Sequence, residues 1–234
     1  MKTQKIIDLS HLIDGSIPSW PSEKKENFSV KTISTYKESG FFYRMIHIPE
    51  HYGTHMDAPA HGLKGKHTID LIDPSKLICP AAVIDVRKKV KTNADYCLMI
   101  DDINTWEEKN GGIKNGSVVL MLTGWEKFWS NKKRYLNQDK QGTMHFPGFS
   151  EDAIKFLIEK RKINGIGIDT MSIDAGNSKD FSSHQVLFEH NKFALENLAN
   201  LDKLPPKGAT IIIAPLKIKG GSGSPVRVFG IYDK

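Results

Sequence analysis

Short runs of alternating hydrophobic and polar residues recur along the chain, and they predict strands rather than helices. β-Branched and aromatic residues are frequent in these runs, and a period of two is what a half-buried strand requires. The predicted strands cover residues 5–12, 27–36, 42–49, 80–86, 117–122, 165–169, 210–216 and 225–232. Because strands outnumber helices and come in runs, the pattern favours a mixed α/β fold with a β-rich core.

One strong helix signal interrupts the strands. Ser150 suits the N-cap of a helix that begins at Glu151, with acidic residues in its first turn and basic residues in its last. Short helices are also predicted at residues 124–129 and 180–191. The stretch 87–116 is polar and is interpreted as a surface excursion. Nothing there marks a domain boundary, so residues 1–234 are predicted to form one domain.

The composition is that of a globular protein, since 39% of the 234 residues are hydrophobic and 26% are charged. No apolar stretch approaches the roughly 20 residues that cross a bilayer, and Asp8 and His11 lie where a signal peptide needs an apolar run. We therefore expect a cytoplasmic protein without a membrane partner. The net charge of +6 comes from dispersed lysines and no recognition motif, so no nucleic-acid partner is expected. Cys79 and Cys97 are interpreted as plain thiols.

The segment His51-Tyr-Gly-Thr-His55-Met-Asp57-Ala-Pro-Ala-His61 holds the densest cluster of candidate metal ligands. Zinc and similar ions bind neutral imidazoles and carboxylates. Gly53 and Pro59 disfavour a helix here, and a straight strand would hold His51 and Asp57 roughly 20 Å apart. Binding one ion therefore requires a curled loop after the strand 42–49, and Gly53 permits the bend. The alternative is a set of unrelated surface histidines.

The pattern His-x-Gly-Thr-His-x-Asp-x-Pro-x-His resembles the signature of the cyclase family of metal-dependent hydrolases, which includes bacterial kynurenine formamidases and isatin hydrolases. All eleven positions match. The resemblance implies that His51, His55 and Asp57 are metal ligands and that His61 is a nearby acid–base histidine. It also implies a swivelling β/β/α fold and a homodimer or homotetramer.

A second polar cluster follows the predicted strand 165–169. Glu196 lies among apolar residues, so its carboxylate is expected to be buried and therefore paired or metal-bound. His184 precedes an apolar run, which suggests that it faces inward. Taken alone, a surface histidine and a solvated glutamate would be the default interpretation. The family resemblance extends to this region, and it implies that His184 and Glu196 hold a second metal, with Asp57 shared between the ions.

Other side chains are weaker candidates. Trp20 and Phe42 (or its neighbour Phe41) could line an aromatic substrate pocket, although core packing explains them equally well. Arg227 could bind a substrate carboxylate or anchor a turn. Asp169 or Asp174 could orient an imidazole of the site by accepting its second N–H.

Together these residues predict a metal-dependent hydrolase. A metal-bound water has its pKa lowered towards 7, which makes hydroxide available at neutral pH, and His61 would transfer the proton to the leaving group. The leading hypothesis is an arylformamidase that converts N-formylkynurenine to kynurenine and formate in tryptophan catabolism. The alternatives are a cyclic amide or lactone hydrolase, with isatin as the example, and a metal-binding module without activity.

The metal itself is less determined than the site. Two histidines and one aspartate suit zinc, manganese and cobalt almost equally; zinc is our first choice and manganese the second, with one or two ions per chain. Neither a Gly-x-Ser-x-Gly nucleophile elbow nor a phosphate loop occurs, which excludes a serine hydrolase of that type and a phosphate-loop nucleotide site.

Overall fold

The computed structural model describes residues 3–21 and 28–233. Twelve strands are present in this part of the chain: β1 (Gln4–Asp8), β2 (Ser29–Ser34), β3 (Tyr43–His47), β4 (His55–Asp57), β5 (Ile78–Asp85), β6 (Cys97–Leu98), β7 (Val118–Leu122), β8 (Gly148–Phe149), β9 (Gly165–Ile168), β10 (Phe193–Glu196), β11 (Lys207–Pro215) and β12 (Gly223–Asp233). The same residues form six α-helices: α1 (Tyr36–Ser39), α2 (Arg87–Val90), α3 (Ile100–Asn110), α4 (Lys132–Leu136), α5 (Glu151–Arg161) and α6 (Ser182–Glu189). Short 3-10 helices lie at Pro59–His61, Ile69–Leu71, Pro74–Lys76, Trp125–Phe128 and Leu201–Lys203.

Seven of these strands close into a barrel. Their order is β12, β11, β5, β7, β9, β10 and β4, and β4 pairs back with β12 to complete the ring. The four strands β5, β7, β9 and β10 are parallel neighbours, whereas the other pairings in the ring are antiparallel. β1 pairs with the distal half of β12. The prediction of a β-rich mixed α/β fold is therefore confirmed.

Two apolar layers result from the alternation of side chains along the barrel strands. In β7, Val118, Leu120 and Leu122 belong to the cluster inside the barrel, while Val119 and Met121 join the cluster beneath the helices. Every residue of β7 is buried, because helices cover the outer face of the parallel strands. The barrel is thus a packed core, and a binding site must lie on its outside or at its ends.

The predicted strands and helices are present, but β1 ends at Asp8, before the end of the predicted strand 5–12, and one further prediction is wrong. α5 begins after Ser150, whose Oγ accepts a hydrogen bond from the Ala153 N–H at 3.2 Å, as expected of an N-cap. The stretch 87–116 is not a surface excursion, because it contains α3, whose Ile103 and Trp106 are buried against the barrel. The first residue of the predicted strand 27–36 lies outside the described residues. No helix in the described ranges combines the length and apolarity that crossing a bilayer requires.

Candidate metal centre

Three ligand candidates are positioned by two paired strands. His55 and Asp57 point to the same face of β4, away from the barrel interior, because Met56 between them fills the interior. β10 pairs with β4 so that Glu196 lies directly opposite His55. Directly opposed residues of antiparallel strands share a face, and the His55 Nε2 lies 3.4 Å from the Glu196 Oε2. The ladder itself therefore assembles an imidazole and two carboxylates outside the barrel wall.

The expected curl before β4 is present. Gly53 has a φ of +65°, a conformation that favours glycine, and the turn returns the His51 Nδ1 to 2.6 Å from the Asp57 Oδ1. The segment does not continue as a loop, however, because β4 follows at once. The other ring nitrogen of His51 lies 2.9 Å from the Ser222 Oγ, and Ser222 Oγ donates to the Glu50 carboxylate at 2.6 Å. Ser222 and Glu50 thus fix the His51 ring, which the sequence did not reveal.

Helix α6 contributes His184 from its first turn. The His184 Nε2 lies 3.1 Å from the Glu196 Oε1 and 3.5 Å from the Asp57 Oδ2. Its Nδ1 is 2.5 Å from the Asp174 Oδ2, and Asp174 also accepts from the backbone N–H of Ser183 and His184. Asp174 therefore orients the imidazole and holds the start of α6.

His61 lies beside these side chains rather than apart from them. Its ring centroid is 3.8 Å from that of His51, and among the described residues His51, Asp57 and His61 present ligand atoms within 4.8 Å of one another. A second group with the same spacing consists of His55, Asp57 and Glu196. Asp57 belongs to both groups. The geometry places His61 within reach of a metal as well as a substrate, and its acid–base role stays a prediction.

The charges in this cluster fit a divalent cation. Asp57 is 1% exposed, and its Oδ2 has no hydrogen-bond partner in the described part of the chain. Burial would lower the pKa of His55, but the Asp57 and Glu196 carboxylates raise it to about 10. Burial likewise opposes the charged form of His184, and the Asp174, Asp57 and Glu196 carboxylates hold its pKa well above its usual value. The carboxylates thus favour positive charge beside them, and a divalent metal would supply it in place of protons on the imidazoles.

A cavity of about 480 Å³ opens onto the cluster. Trp20, Met171, Phe181 and Phe188 form its apolar wall, and Trp20 and Phe181 pack with ring centroids 5.9 Å apart. The structure therefore brings Trp20 to the cavity, as its candidate role requires. A larger cavity of about 780 Å³, between α2, the 3-10 helix Trp125–Phe128 and α4, contains none of the predicted ligands.

Two of the weaker candidates do not line the cavity. Phe42 is 51% exposed and precedes β3, outside the cavity wall. Arg227 lies on β12 and forms two hydrogen bonds with the Asp8 carboxylate, at 2.6 and 3.0 Å, so it anchors β12 to the end of β1. Asp169 orients no imidazole, because its carboxylate instead accepts from Thr123 and Gly124.

Comparison with known proteins settles the family. Residues 7–175 match the family model named Cyclase. The chain belongs to the cyclase family. Isatin hydrolase of Roseibium aggregatum is 40% identical over 215 residues, which are 88% of this chain and 81% of that relative. Kynurenine formamidase of Bacillus cereus is 31% identical over 229 residues, 97% of each chain. The solved structure of isatin hydrolase A from Ralstonia solanacearum has a TM-score of 0.91 at 35% identity and covers 98% of this chain and 92% of that one.

The resemblance read from the histidine–aspartate segment is therefore confirmed. This cyclase-family chain is a metal-dependent hydrolase. The eleven-residue segment forms β4 and the turns on either side of it. His184 and Glu196 of the later polar cluster lie on α6 and β10.

Proposed function

We propose that this chain hydrolyses the amide carbon–nitrogen bond of a small aryl amide, with an isatin-like cyclic amide as the first candidate and N-formylkynurenine as the second. The observation that carries the proposal is the convergence of the His51, His55 and His184 imidazoles on the buried Asp57 carboxylate, beside an aromatic-walled cavity. The 40% identity to an isatin hydrolase, against 31% to the kynurenine formamidases, supports this order. The sequence alone favoured the opposite order.

The cavity suits a small aromatic substrate. Its volume of about 480 Å³ is within the range of small-molecule sites. Trp20, Phe181 and Phe188 offer ring faces and edges on which a flat aryl group can pack. Since the ligand cluster lies at the base of the same cavity, an aryl group held by this wall would direct its amide carbonyl towards the cluster.

The residues of the site have two proposed roles, metal binding and proton transfer. We assign His51, His55 and Asp57 to one cation and His184 and Glu196 to a second, with Asp57 shared; zinc is the first choice and manganese the second. Lewis-acid activation of water and of the substrate carbonyl is the chemistry that a divalent cation supplies when bound. Ser222 and Asp174 keep the His51 and His184 rings in place.

His61 is the proposed proton carrier. Loss of water around its ring lowers the pKa of His61 below its ordinary value. The imidazole is therefore neutral at pH 7 and free to accept a proton from the attacking water. It then returns that proton to the leaving nitrogen, which makes the amine a better leaving group.

The experiment is steady-state hydrolysis by protein stripped of metal with a chelator and then reloaded with zinc or manganese. We expect no turnover by the stripped protein and restored turnover of isatin, with slower or no turnover of N-formylkynurenine. Faster turnover of N-formylkynurenine would reverse the order of the two substrates. Tight binding of metal without turnover of either would contradict the aryl-amide proposal and favour a metal-binding module.

A further inference from the structure

Asn197 lies in the turn that directly follows β10 and the ligand candidate Glu196. It is buried and lines the aromatic-walled cavity. Its φ is +54°, in the left-handed region that asparagine adopts more readily than most residues with a side chain. Its backbone N–H donates to the Thr170 carbonyl at 2.8 Å, which ties the turn to the end of the neighbouring strand. This backbone bond leaves the Asn197 side-chain amide available for other contacts.

Two hydrogen bonds join Asn197 to the turn that precedes β4. The Asn197 Nδ2 donates to the Gly53 carbonyl at 2.9 Å, and the Thr54 Oγ1 donates to the Asn197 carbonyl at 2.6 Å. Gly53 has a φ of +65°, and the backbone of a glycine is less restricted than that of any other residue. Without these bonds the Gly53 carbonyl could turn at low cost. Asn197 therefore fixes the direction of this carbonyl.

The same carbonyl orients the imidazole of His55. The His55 Nδ1 lies 2.9 Å from the Gly53 oxygen, and a carbonyl can only accept, so Nδ1 carries a proton. The other ring nitrogen, Nε2, lies 3.3 Å from the Asp57 Oδ1 and 3.4 Å from the Glu196 Oε2. A carbonyl oxygen has two lone pairs and can accept from His55 and Asn197 at once. The orientation of His55 thus depends on a carbonyl that Asn197 holds.

Tyr135 sets the orientation of the Asn197 amide. The Tyr135 hydroxyl lies 2.7 Å from the Asn197 Oδ1 and farther, at 3.2 Å, from the Asp169 carbonyl. The hydroxyl can donate to Oδ1, whereas the Gly53 carbonyl accepts only, so one of the two amide orientations satisfies both partners. Tyr135 is fully buried, and its ring packs edge-on against Trp129 in the core. The contacts therefore run from the core through Asn197 to the metal centre.

We infer that Asn197 is a positioning residue for the cation that His55 would bind. It holds the Gly53 carbonyl in place, and this carbonyl keeps the His55 ring in the tautomer and orientation that leave Nε2 for the cation. The inference rests on the proposed assignment of His55 as a metal ligand. Asn197 is adjacent in sequence to one candidate ligand, Glu196, but through its side chain it acts on a different one.

Asn200 provides a matched comparison for a purely structural asparagine. Its φ is +56°, and its Nδ2 donates to the Asp8 carbonyl at 2.8 Å. Residue type, backbone conformation and the kind of hydrogen bond are thus the same as at Asn197. In the described part of the chain, however, the hydrogen bonds of Asn200 involve none of the candidate ligands. The two asparagines differ in whether the carbonyl that they hold also orients an imidazole.

The experiment measures the zinc affinity of Asn197→Gly in the full chain, by competition with a coloured chelator. Glycine adopts a positive φ without steric cost, so this change removes the amide and keeps the turn. We expect one zinc ion to bind about 10–100-fold more weakly, the usual effect of losing a group that orients a metal-bound histidine. Asn200→Gly should lower the melting temperature by a similar amount and bind zinc as tightly as the wild type. Tyr135→Phe, which keeps the ring, should weaken binding of the same ion by a smaller factor.

A second readout observes the His55 ring itself. In zinc-loaded protein with ¹⁵N-labelled histidine, NMR shows which ring nitrogen carries the proton, and the signal missing from His55→Ala belongs to His55. We expect a protonated Nδ1 in the wild type and in Asn200→Gly. In Asn197→Gly we expect the Nδ1 proton to exchange faster with water, because the carbonyl that accepts it is no longer held. A purely structural role would lower the melting temperature without changing this signal.

The outcomes separate this inference from the proposed function. Zinc affinity and Nδ1 proton exchange in Asn197→Gly equal to those in Asn200→Gly would overturn the inference. If Asn197→Gly does not fold, Tyr135→Phe decides, and an unchanged zinc affinity there would overturn it as well. A wild-type chain that binds no zinc would overturn the inference together with the proposed ligands. Neither readout uses a substrate, so a failure to hydrolyse isatin or N-formylkynurenine would contradict the proposed function alone.

Discussion

His61 is the residue whose role separates an enzyme from a metal-binding module. Its ring lies 3.8 Å from that of His51, close enough for either a ligand or a proton carrier. We expect His61→Ala to lower kcat by about 10²–10⁴-fold, the usual contribution of a general acid–base group, and to leave the number of bound ions unchanged. Turnover and metal content are measured on the same preparation. The control is His67→Ala, an exposed histidine six positions away.

Loss of one ion from His61→Ala would instead identify His61 as a metal ligand, together with His51 and Asp57. Equal turnover in His61→Ala and His67→Ala would mean that the imidazole takes no part in the reaction. Turnover and metal content together therefore distinguish a proton carrier, a metal ligand and a residue that takes no part in the reaction.

Most of the candidate ligands could be predicted from the sequence, because they are close together in it or match the family's motif. His51, His55 and Asp57 lie within seven positions, so one bend at Gly53 brings them together. Ser222 reaches His51 across 171 positions, and no local pattern indicates such a contact. Phe42 is a reasonable pocket candidate by its chemistry, but it lies in the exposed segment before β3, and aromatic residues occur in such a segment as well as in a pocket wall.

At the scale of elements, the start of β12 packs closely against His51 of the ligand cluster. A Cβ at Gly223 would lie 2.5 Å from the His51 Cε1 and 2.7 Å from the Met56 carbonyl oxygen, closer than atoms can approach. We therefore expect Gly223→Ala to displace the His51 ring, to weaken metal binding at least about 10-fold and to cost about 1–3 kcal/mol of stability through overpacking. Metal titration and thermal unfolding measure the two effects.

Gly112→Ala is the matched control, because a Cβ there would have its nearest neighbour at 3.9 Å, an ordinary contact. It should leave metal affinity and melting temperature close to those of the wild type. If Gly223→Ala behaved like Gly112→Ala, the close packing of β12 on His51 would not matter for the site.

The long strands β11 and β12 were predictable because buried and less buried residues alternate along them, and their bounds were anticipated within a few residues. β4 and β10 have three and four residues, all buried, so no alternation marks them. α3 was missed because most of its eleven residues are polar, and the buried Ile103 and Trp106 supply a weak helical signal.

At the scale of the whole molecule, closure of the barrel depends on pairings that span the chain. β4 pairs with β10 and with β12, well over a hundred residues later in sequence. Such partners are chosen by the packing of the complete core and not by local sequence. The same closure brings the ends of neighbouring parallel strands together, and one of these junctions contains a fully buried carboxyl group whose charge affects the stability of the entire fold.

That group is Asp169, which follows β9 and accepts hydrogen bonds from the backbone N–H of Thr123, Gly124 and Trp125 after β7. Burial nevertheless raises the pKa of Asp169 from 3.8 to about 6, because its hydrogen bonds offset only part of the lost hydration. A carboxyl whose folded-state pKa is raised binds its proton more tightly in the folded protein. Its contribution to stability is therefore greatest below pH 3.8 and is lost as the pH rises through about 6.

The prediction compares wild type with Asp169→Asn, which cannot titrate at this position. In metal-free protein, we expect the unfolding free energy of the wild type to fall relative to the variant by about 2 kcal/mol between pH 4 and pH 7. Denaturant unfolding at each pH, at one fixed protein concentration, gives this difference. A difference that does not change with pH would mean that folding leaves the carboxyl pKa unperturbed. A difference that changes in the opposite direction would mean that the three backbone donors outweigh burial and hold Asp169 ionised in the folded barrel.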